Sequence, residues 1–319
     1  MLNGRGITWP AVAEGMTRVV PFITLARPTH WIKNVIVFAP IVFGLRMADP
    51  GAWIKSALAA ISFCLACSAA YIVNDLRDRE NDRRHPEKSK RPLACGAVSM
   101  KAAVWEALIL VLLSWVVALT VNGVVALLVT AYMLMQHGYT FFLKQRMLLD
   151  VICISCGFVL RAVTGATAIG VEASPWLIIC TFAVCLFMGF CKRRTELATL
   201  DASGDAGQHR KTLIRYSPEL LTHLITLSAG IAVVTYLLYA SSPGTEQHLG
   251  TVYLIYTLPL VVYAVFRFAM LSIEARYADP TELILHDRPF QLVVILWSAA
   301  AVSIITWGTA LRHWLEGLQ

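Results

Sequence analysis

Charged side chains are scarce along this chain. Asp, Glu, Lys and Arg supply 15% of its 319 residues, whereas apolar residues supply 57%, and the mean hydropathy is +0.64. Soluble domains are nearer half apolar and a quarter charged, so the composition argues against a soluble protein. Apolar stretches recur along the whole length, and they indicate a polytopic membrane protein.

Other patterns are missing too. The first twenty residues lack the charged, apolar and cleavage-site pattern of a secretory signal peptide. Most cysteines lie inside apolar runs, and the CxxC pairs Cys64/Cys67 and Cys153/Cys156 have no accompanying polar turn or His. We therefore expect packing residues and no disulfide framework. No basic groove with interleaved aromatic residues is visible, so nucleic acid is not an expected partner.

Nine apolar stretches approach the ~20 residues that a helix needs to cross roughly 30 Å of hydrocarbon. They cover residues 32–47, 53–73, 102–121, 123–138, 149–169, 175–191, 219–240, 250–271 and 290–310. We predict an all-α membrane bundle of about nine transmembrane helices. The expected organisation is a cytoplasmic or interfacial segment (1–26), a transmembrane domain (27–311) and a short tail (312–319).

Positive charge is distributed unevenly between the two sides of this arrangement. With the N-terminus inside, 23 of the 27 Lys and Arg residues fall on the inner side, as the positive-inside rule predicts. The net charge of +7 is thus explained by topology and an anionic substrate. Because the inner loops hold nearly all the reactive side chains, we expect the active site to face the cytoplasm.

An acidic motif, "NDLRDREND" (74–82), follows the second apolar stretch. Asp75, Asp78 and Asp82 share one face if the preceding helix continues, and Asn74 borders them. Like carboxylates repel unless a cation lies between them, and Mg²⁺ is usually held by one or two carboxylates together with substrate phosphates. The motif therefore indicates a Mg²⁺–diphosphate site at a wet membrane face. The alternative is an ordinary solvated, charge-rich loop.

The residues after the motif favour the first interpretation. His85, Lys88, Lys90 and Arg91 supply cations a few positions later. The guanidinium fork of Arg matches phosphate oxygens particularly well. Carboxylates for a metal and cations for phosphate at one membrane face describe a site for a diphosphate leaving group.

These residues resemble the UbiA superfamily of intramembrane transferases, which carries NDxxDxxxD followed by RPL-A-x-G, here "RPLACG" (91–96). The tail HPxKxxRP, matched by His85, Pro86, Lys88, Arg91 and Pro92, resembles one branch, the decaprenyl-phosphate phosphoribosyltransferases of bacterial cell-wall arabinan synthesis. Further stretches resemble that branch: "RPTHWIKN" (27–34), "GYTFFLK" (138–144), "GFVLRAVTGA" (157–166), "KRRTEL" (192–197) and "DPTELILHDRPFQ" (279–291).

The resemblance implies a UbiA-like fold in a bacterial cytoplasmic membrane. It also implies Mg²⁺-dependent transfer of 5-phosphoribose from phosphoribosyl pyrophosphate to a polyprenyl phosphate, with decaprenyl as the chain. Asp75, Asp78 and Asp82 would be the catalytic metal ligands, together with Asn74. The expected substrate-binding residues include Lys33, Asn34, Asn74, His85, Lys88, Arg91, Tyr139 and Lys144. A homo-oligomer is compatible with the sequence.

A second inner cluster departs from the usual superfamily pattern, which has DxxxD after the sixth span. Lys192, Arg193, Arg194 and Glu196 lie there instead. Three successive cations favour a donor richer in phosphate than a prenyl diphosphate, and phosphoribosyl pyrophosphate carries a further 5-phosphate. Anchoring of the sixth span by positive charge is the simpler alternative. A second metal site at Asp201 and Asp205 stays open, and Glu196 could be a metal ligand or a ribose ligand.

Arg161 should lie about eleven residues, or ~16 Å, inside the fifth span. A charge at that depth usually faces a cavity or a partner, so we expect Arg161 to bind phosphate, with a structural ion pair as the alternative. Asp150 lies near three helical turns away and should point the same way. Asp287 and Arg288 belong to a branch-like stretch without an assignable role.

Two other functions use the same features. The metal site could ionise a prenyl diphosphate that prenylates an aromatic or other small acceptor. The protein could also be a carrier for a phosphorylated metabolite, but transporters often show repeated halves, and no such halves are visible here.

Overall fold

The computed structural model describes residues 19–84, 88–203, 216–277 and 280–316. In these ranges the chain forms helices and no strands. The long helices are α1 (Pro50–Arg84), α2 (Met100–Val121), α3 (Gly123–Phe141), α4 (Leu149–Ala168), α5 (Pro175–Ser203), α6 (Pro218–Ser241), α7 (Leu258–Ile273) and α8 (Arg288–Glu316). Shorter helices cover Pro28–Phe38, Ala39–Phe43, Lys88–Lys90, Leu143–Gln145, Pro243–Leu249, Tyr253–Thr257 and Pro280–His286.

Eight helices in the described ranges are long and apolar enough to cross a membrane. The predicted all-α, multi-pass membrane bundle is therefore confirmed. The first predicted span, 32–47, is irregular, because it consists of a 3-10 helix, Pro28–Phe38, and a five-residue α-helix, Ala39–Phe43. The extended 3-10 rise still gives these two pieces a combined length of about 30 Å.

Pro40 accounts for part of this irregularity. It has no N–H, so it cannot donate the hydrogen bond that a continuous helix would require at this position. The segment packs closely against α4, where a Cβ on Gly165 would lie 2.1 Å from the carbonyl oxygen of Val37. Only glycine permits this approach between the two backbones.

Helix α1 is much longer than the predicted span of 53–73. Its 35 residues extend about 52 Å, so the acidic motif lies on a helical projection beyond the apolar part. Small residues let α2 approach closely, and Ser62 and Ser114 donate reciprocally to each other's carbonyl oxygens, both at 2.8 Å.

The loop after α1 turns back onto that helix. Arg79 Nε and Arg83 Nε donate to the carbonyl oxygens of Leu93 and Ala94, each at 3.1 Å. Gly96 then takes φ 83°, in the left-handed region that glycine favours. These contacts hold the basic loop beside the acidic motif.

The cores on the two sides of α4 differ. On one side α1, α3 and the 3-10 segment bury Phe63, Val129 and Tyr132. On the other side α5, α6 and α7 bury Phe187, Phe268 and neighbouring apolar residues against Val151. Because successive helices alternate in direction, the ends of α1, α3, α5 and α7 meet the beginnings of α2, α4, α6 and α8 on one side. The candidate site lies there.

Candidate functional site

The aspartates of the acidic motif lie on one face of α1, as their spacing predicts, and each pairs with a basic side chain. Arg27 Nη2 lies 2.5 Å and 2.6 Å from the two carboxylate oxygens of Asp75. Arg91 Nη1 bridges Asp75 and Asp82, at 3.2 Å and 2.7 Å. The motif and the RPLACG loop therefore form one charge-compensated surface, which we call the acidic face: Asn74, Asp75, Asp78 and Asp82.

Lys144 completes this surface from the segment after α3. Its Nζ donates to both oxygens of Asp78 at 2.6 Å and 2.7 Å, and to Asn74 Oδ1 at 3.2 Å. Lys144 is only 5% exposed. The structure thus brings Lys144 to Asn74 and Asp78, which lie 70 and 66 positions before it in the sequence.

The expectation of a wet membrane face is wrong for two of the three carboxylates. Asp75 and Asp82 are buried, at 2% and 5% exposure, whereas the Asp78 side chain keeps 24%. The guanidinium groups of Arg27 and Arg91 cover the first two. Buried carboxylates of this kind depend on their cationic partners, because an unpaired charge is costly to bury.

Arg27 was not selected from the sequence, although it opens the RPTHWIKN stretch. Its backbone is left-handed, with φ 52° and ψ 61°, a conformation that costs a non-glycine residue roughly 1–2 kcal/mol. Ser68 Oγ donates to the carbonyl oxygen of Ala26 at 2.7 Å, and Trp31 Nε1 donates to Ser68 at 3.0 Å. The guanidinium carbon lies 5.2 Å from the centre of the Tyr71 ring.

The second cluster centres on Arg193, which is 3% exposed. Its Nε lies 2.9 Å from Asp150 Oδ2, an ion pair in which the N–H does not point at that oxygen. A second nitrogen of Arg193 pairs with Glu196. Asp150 therefore ties the beginning of α4 to the C-terminal part of α5, and Arg193 is held by two carboxylates.

Tyr216 was also missed by the sequence reasoning. Its hydroxyl donates to Asp150 Oδ1 at 3.2 Å and accepts from the backbone N–H of Leu148 at 2.8 Å. Burial raises the pKa of Tyr216 to about 12. The hydroxyl therefore stays protonated at neutral pH and serves as a donor to Asp150.

The two neighbours of Arg193 are more exposed than Arg193 itself. Lys192 Nζ lies 4.0 Å from Glu196 Oε1. Arg194 Nε is buried and has no hydrogen-bond partner within the described ranges. Tyr139, near the end of α3, interacts electrostatically with Arg193. The structure thus brings the predicted cluster together, with Arg193 buried and with Lys192 and Arg194 half-buried.

Arg161 belongs to a separate polar cluster deep in the bundle. It donates to Asn34 Oδ1 at 2.7 Å, to the carbonyl oxygen of Gly157 at 2.9 Å, and to Cys67 Sγ and Tyr132 Oη at 2.9 Å and 3.0 Å. Every one of these partners is a neutral group in its ordinary form. The alternative of a structural ion pair is therefore wrong for the contacts that the described residues make.

Asp150 and Arg161 were expected to point the same way, but they contact different parts of the protein. Asp150 contacts α5 and Tyr216, whereas Arg161 contacts α1, α3 and the segment before them. Rings of Phe63, Tyr132 and Phe158 surround the Arg161 guanidinium, with centres 4.7–5.6 Å away. No sequence pattern identified Cys67 or Tyr132, because their role depends on contacts between distant helices.

The remaining predicted residues are placed as follows. Lys33 is half-buried in the 3-10 helix Pro28–Phe38, and Asn34 is buried beside Arg161. Lys88 opens the one-turn helix that leads to Arg91. His85 and Asp205 lie outside the described residues, and Asp201 lies in the last turn of α5, where side chains are not described. The possible second metal site at Asp201 and Asp205 therefore stays a prediction.

Asp287 gains a role that the sequence did not assign. Both of its carboxylate oxygens accept from Arg267, at 2.6 Å and 2.9 Å, and Oδ1 also accepts from the N–H of Phe290 at 2.8 Å. The bonds from Arg267 lower the pKa of Asp287. This carboxylate caps α8 and fastens it to α7.

The oxygen donors of the acidic face fit a hard divalent cation. Arg27 Nη2 lies between both oxygens of Asp75, and Lys144 Nζ lies between Asn74 and Asp78, so positive charge already occupies such positions. No group of three or more His, Cys, Asp or Glu side chains converges on one point in the described part of the chain. Mg²⁺ is usually held by one or two carboxylates plus substrate phosphates, and this face can provide the carboxylates.

Comparison with known proteins agrees with this arrangement. A sequence model described as the UbiA prenyltransferase family matches residues 37–286. The decaprenyl-phosphate phosphoribosyltransferase of Mycolicibacterium smegmatis is 32% identical over 300 residues, which cover 90% of this chain and 93% of that protein. The enzyme of the same name from Corynebacterium glutamicum is 33% identical over 293 residues, covering 90% and 85%. The predicted resemblance is confirmed.

Solved structures show the same fold. The chain superimposes with a TM-score of 0.67 on a UbiA homolog from Archaeoglobus fulgidus bound to GPP and Mg²⁺. The two sequences are 20% identical, and the match covers 90% of this chain and 99% of the other. At this identity the likeness establishes the fold.

Proposed function

The chain belongs to the UbiA prenyltransferase family and is therefore a membrane-embedded transferase; from that premise we propose that it transfers 5-phosphoribose to a polyprenyl phosphate. Phosphoribosyl pyrophosphate is the proposed donor, and decaprenyl phosphate is the proposed acceptor by analogy with the relatives' names. Pyrophosphate leaves. The product would be a lipid-linked sugar precursor for cell-wall synthesis.

The presence of two separate groups of basic side chains supports the choice of donor. Basic side chains form two groups at the inner face: one on the acidic face, from Arg27, Arg91 and Lys144, and one at the end of α5. A prenyl diphosphate has a single charged end and needs one such group. Phosphoribosyl pyrophosphate has a diphosphate and a separate 5-phosphate, and each of these would find cations.

We assign the residues to these two ends of the donor. Asn74, Asp75, Asp78 and Asp82 would hold Mg²⁺, which supplies a Lewis acid that neutralises charge on the leaving diphosphate. His85, Lys88, Arg91 and Lys144 would contact the diphosphate oxygens. Lys192 and Arg194 would contact the 5-phosphate, while Arg193 is kept in position by Asp150 and Glu196.

The reaction needs no strong general base. The bond between ribose C1 and the diphosphate oxygen breaks, and the diphosphate keeps its electron pair. An oxygen of the lipid phosphate, already anionic at neutral pH, forms the new bond to C1. Lys33 and Tyr139 are proposed to line the acceptor side. Arg161, whose side chain is held by neutral partners, would make the electrostatic potential at the site more positive.

We further propose that the site faces the cytoplasm of a bacterial cytoplasmic membrane. The asymmetry of Lys and Arg supports this orientation. Phosphoribosyl pyrophosphate is a soluble, highly charged molecule, so the site must open to an aqueous compartment. The lipid acceptor would enter laterally from the bilayer.

Ligand-dependent thermal stability of the detergent-solubilised protein tests the proposed donor. We expect phosphoribosyl pyrophosphate with Mg²⁺ to raise the unfolding midpoint, because a ligand that binds the folded state stabilises it. Ribose 5-phosphate and pyrophosphate alone should each have a smaller effect. Stabilisation by geranyl diphosphate and not by phosphoribosyl pyrophosphate would favour prenyl transfer instead.

A further inference from the structure

Arg27 occupies the place on Asp75 that a divalent metal would take. Its Nη2 lies 2.5 Å and 2.6 Å from the two carboxylate oxygens, and Arg91 Nη1 approaches one of them at 3.2 Å. Asp75 is 2% exposed. A metal that binds both oxygens of this carboxylate must therefore displace the Arg27 guanidinium.

The position of Arg27 allows such a displacement. Its backbone is fixed between a helix at residues 19–26 and the 3-10 helix Pro28–Phe38, and Ser68 binds the preceding carbonyl group. Among the described residues, the guanidinium group contacts Asp75 of the acidic face and the ring of Tyr71 beside it. It keeps 19% exposure, so it can turn toward the aqueous side without movement of α1.

We propose that Arg27 is a positioning residue that couples the binding of metal and diphosphate at the acidic face. It neutralises Asp75 in the free protein and exchanges this carboxylate for a phosphate oxygen when metal and diphosphate arrive together. Guanidinium groups bind carboxylate and phosphate with the same paired geometry. The inference rests on the proposed function, since it requires a metal–diphosphate ligand.

In this exchange, Arg27 opposes binding of the metal alone and favours binding of the diphosphate. A metal alone must compete with Arg27 and leaves the displaced cation without an anion, so it binds weakly. A diphosphate supplies that anion, so each ligand strengthens binding of the other by the same factor. Removal of Arg27 should therefore improve binding of the metal alone and impair binding of the diphosphate.

The variant R27Q tests this pair of effects in the full-length protein in detergent. Binding of Mn²⁺ alone is measured from the electron paramagnetic resonance signal of the free ion. Binding of inorganic pyrophosphate at saturating Mg²⁺ is measured by calorimetry. We expect Mn²⁺ affinity to rise about 3- to 10-fold and pyrophosphate affinity to fall about 10-fold, within the usual range of coupling between sites.

Two further variants separate this effect from general ones. R77Q removes one charge from an exposed residue of α1, the helix that carries the acidic face; Arg77 contacts the ring of Phe141, and R77Q should change neither affinity. R27K keeps the charge on a shorter side chain, so it should shift both affinities in the R27Q directions by a smaller factor. If R27Q fails to fold, the R27K measurements decide.

An unchanged or lower Mn²⁺ affinity in the folded Arg27 variant would overturn the exchange, even if pyrophosphate binds more weakly. Parallel loss of both affinities would show a structural role instead. A wild-type protein that binds neither Mn²⁺ nor pyrophosphate nor phosphoribosyl pyrophosphate would contradict the proposed function itself. The two failures are therefore distinguishable.

Discussion

Each carboxylate of the acidic face is neutralised by a side chain from another segment. Arg27 comes from the chain before the first 3-10 helix, Arg91 from the loop after α1, and Lys144 from the segment after α3. A face with three buried or half-buried carboxylates would otherwise be strongly repulsive. Under the proposed function, the same cations would receive phosphate when a metal binds the carboxylates.

The substitution D75N tests this double role. We expect loss of turnover by about 100-fold or more, because a ligand to the metal is removed. We also expect a decrease in the free energy of unfolding of about 1–3 kcal/mol, because Arg27 and Arg91 lose a charged acceptor. Turnover and thermal unfolding in detergent measure the two effects.

E80Q is the matched control for D75N. Glu80 lies on the same helix and its side chain is 71% exposed, so its neutralisation should leave turnover within about twofold, as is usual for surface substitutions. Near-normal turnover in both D75N and E80Q would show that Asp75 is not a ligand of the metal.

Lys192 and Arg194, the half-buried cations of the second cluster, lead to another expectation. R194A and K192A should raise the KM for phosphoribosyl pyrophosphate about 10-fold and leave the KM for the lipid nearly unchanged, because only the donor carries a 5-phosphate. R276A, at an exposed position of the same inner side, is the control. Equal increases in both KM values would argue against these roles.

Spacing and charge were sufficient to identify the acidic residues, because a helix places Asp75, Asp78 and Asp82 on one face. Spacing and charge were insufficient to identify the basic partners of these acidic residues. Arg27 lies 48 positions from Asp75, and Tyr132 meets Arg161 across two helices. Such contacts depend on helix packing, which a single sequence does not specify.

Helix boundaries were predictable where a capping residue marks them. Asn122 ends α2 and begins α3, and its side chain accepts from the N–H of Val125 at 2.8 Å; the prediction separated the two spans at this residue. Helix α1 continues eleven residues beyond the predicted span of 53–73, since hydropathy reports where a helix leaves the membrane and does not report where it ends. The 3-10 conformation before α1 had no hydropathy signal.

The junction of α7 and α8 gives a pH-dependent expectation. Asp287 has a lowered pKa in the folded protein, so its contribution to stability is present above the ordinary Asp pKa near 4 and is lost as pH falls through the lower, folded value. D287N should lower the free energy of unfolding at pH 7 by about 1–2 kcal/mol.

Thermal unfolding of wild type and D287N between pH 7 and pH 3 checks this linkage. The difference between the two proteins should shrink as the pH falls below 4. D49N is the control, because Asp49 accepts from the N–H of Gly51 at the N-terminal end of α1 and is exposed. A difference between wild type and D287N that is constant across this range would contradict the linkage.

The complete bundle has one side rich in Lys and Arg, and the acidic face lies there. A native cysteine can report its orientation, because Cys95 is exposed in the loop after α1, whereas the other seven cysteines are buried or half-buried. A membrane-impermeant maleimide should label inverted vesicles and leave intact cells unlabelled. C95S should abolish that labelling, and labelling of intact cells would reverse the proposed orientation.

Fold class followed from composition and the length of the apolar stretches, because stretches near ~20 residues match the span of a membrane helix, whose backbone groups bond to each other. The donor did not follow from the fold. The proposed choice of donor rests on Lys192, Arg193 and Arg194 in the C-terminal part of α5. Function therefore depends on a few side chains at one side of a common scaffold.

A competition assay addresses the choice of donor most directly. The purified protein is incubated with Mg²⁺, phosphoribosyl pyrophosphate, geranyl diphosphate, a polyprenyl phosphate and an aromatic acid, and the lipid extract is examined by mass spectrometry. We expect the polyprenyl phosphate to gain one phosphoribosyl group in wild type and to stay unchanged in D75N. A prenylated aromatic acid without phosphoribosylated lipid would contradict the proposed function.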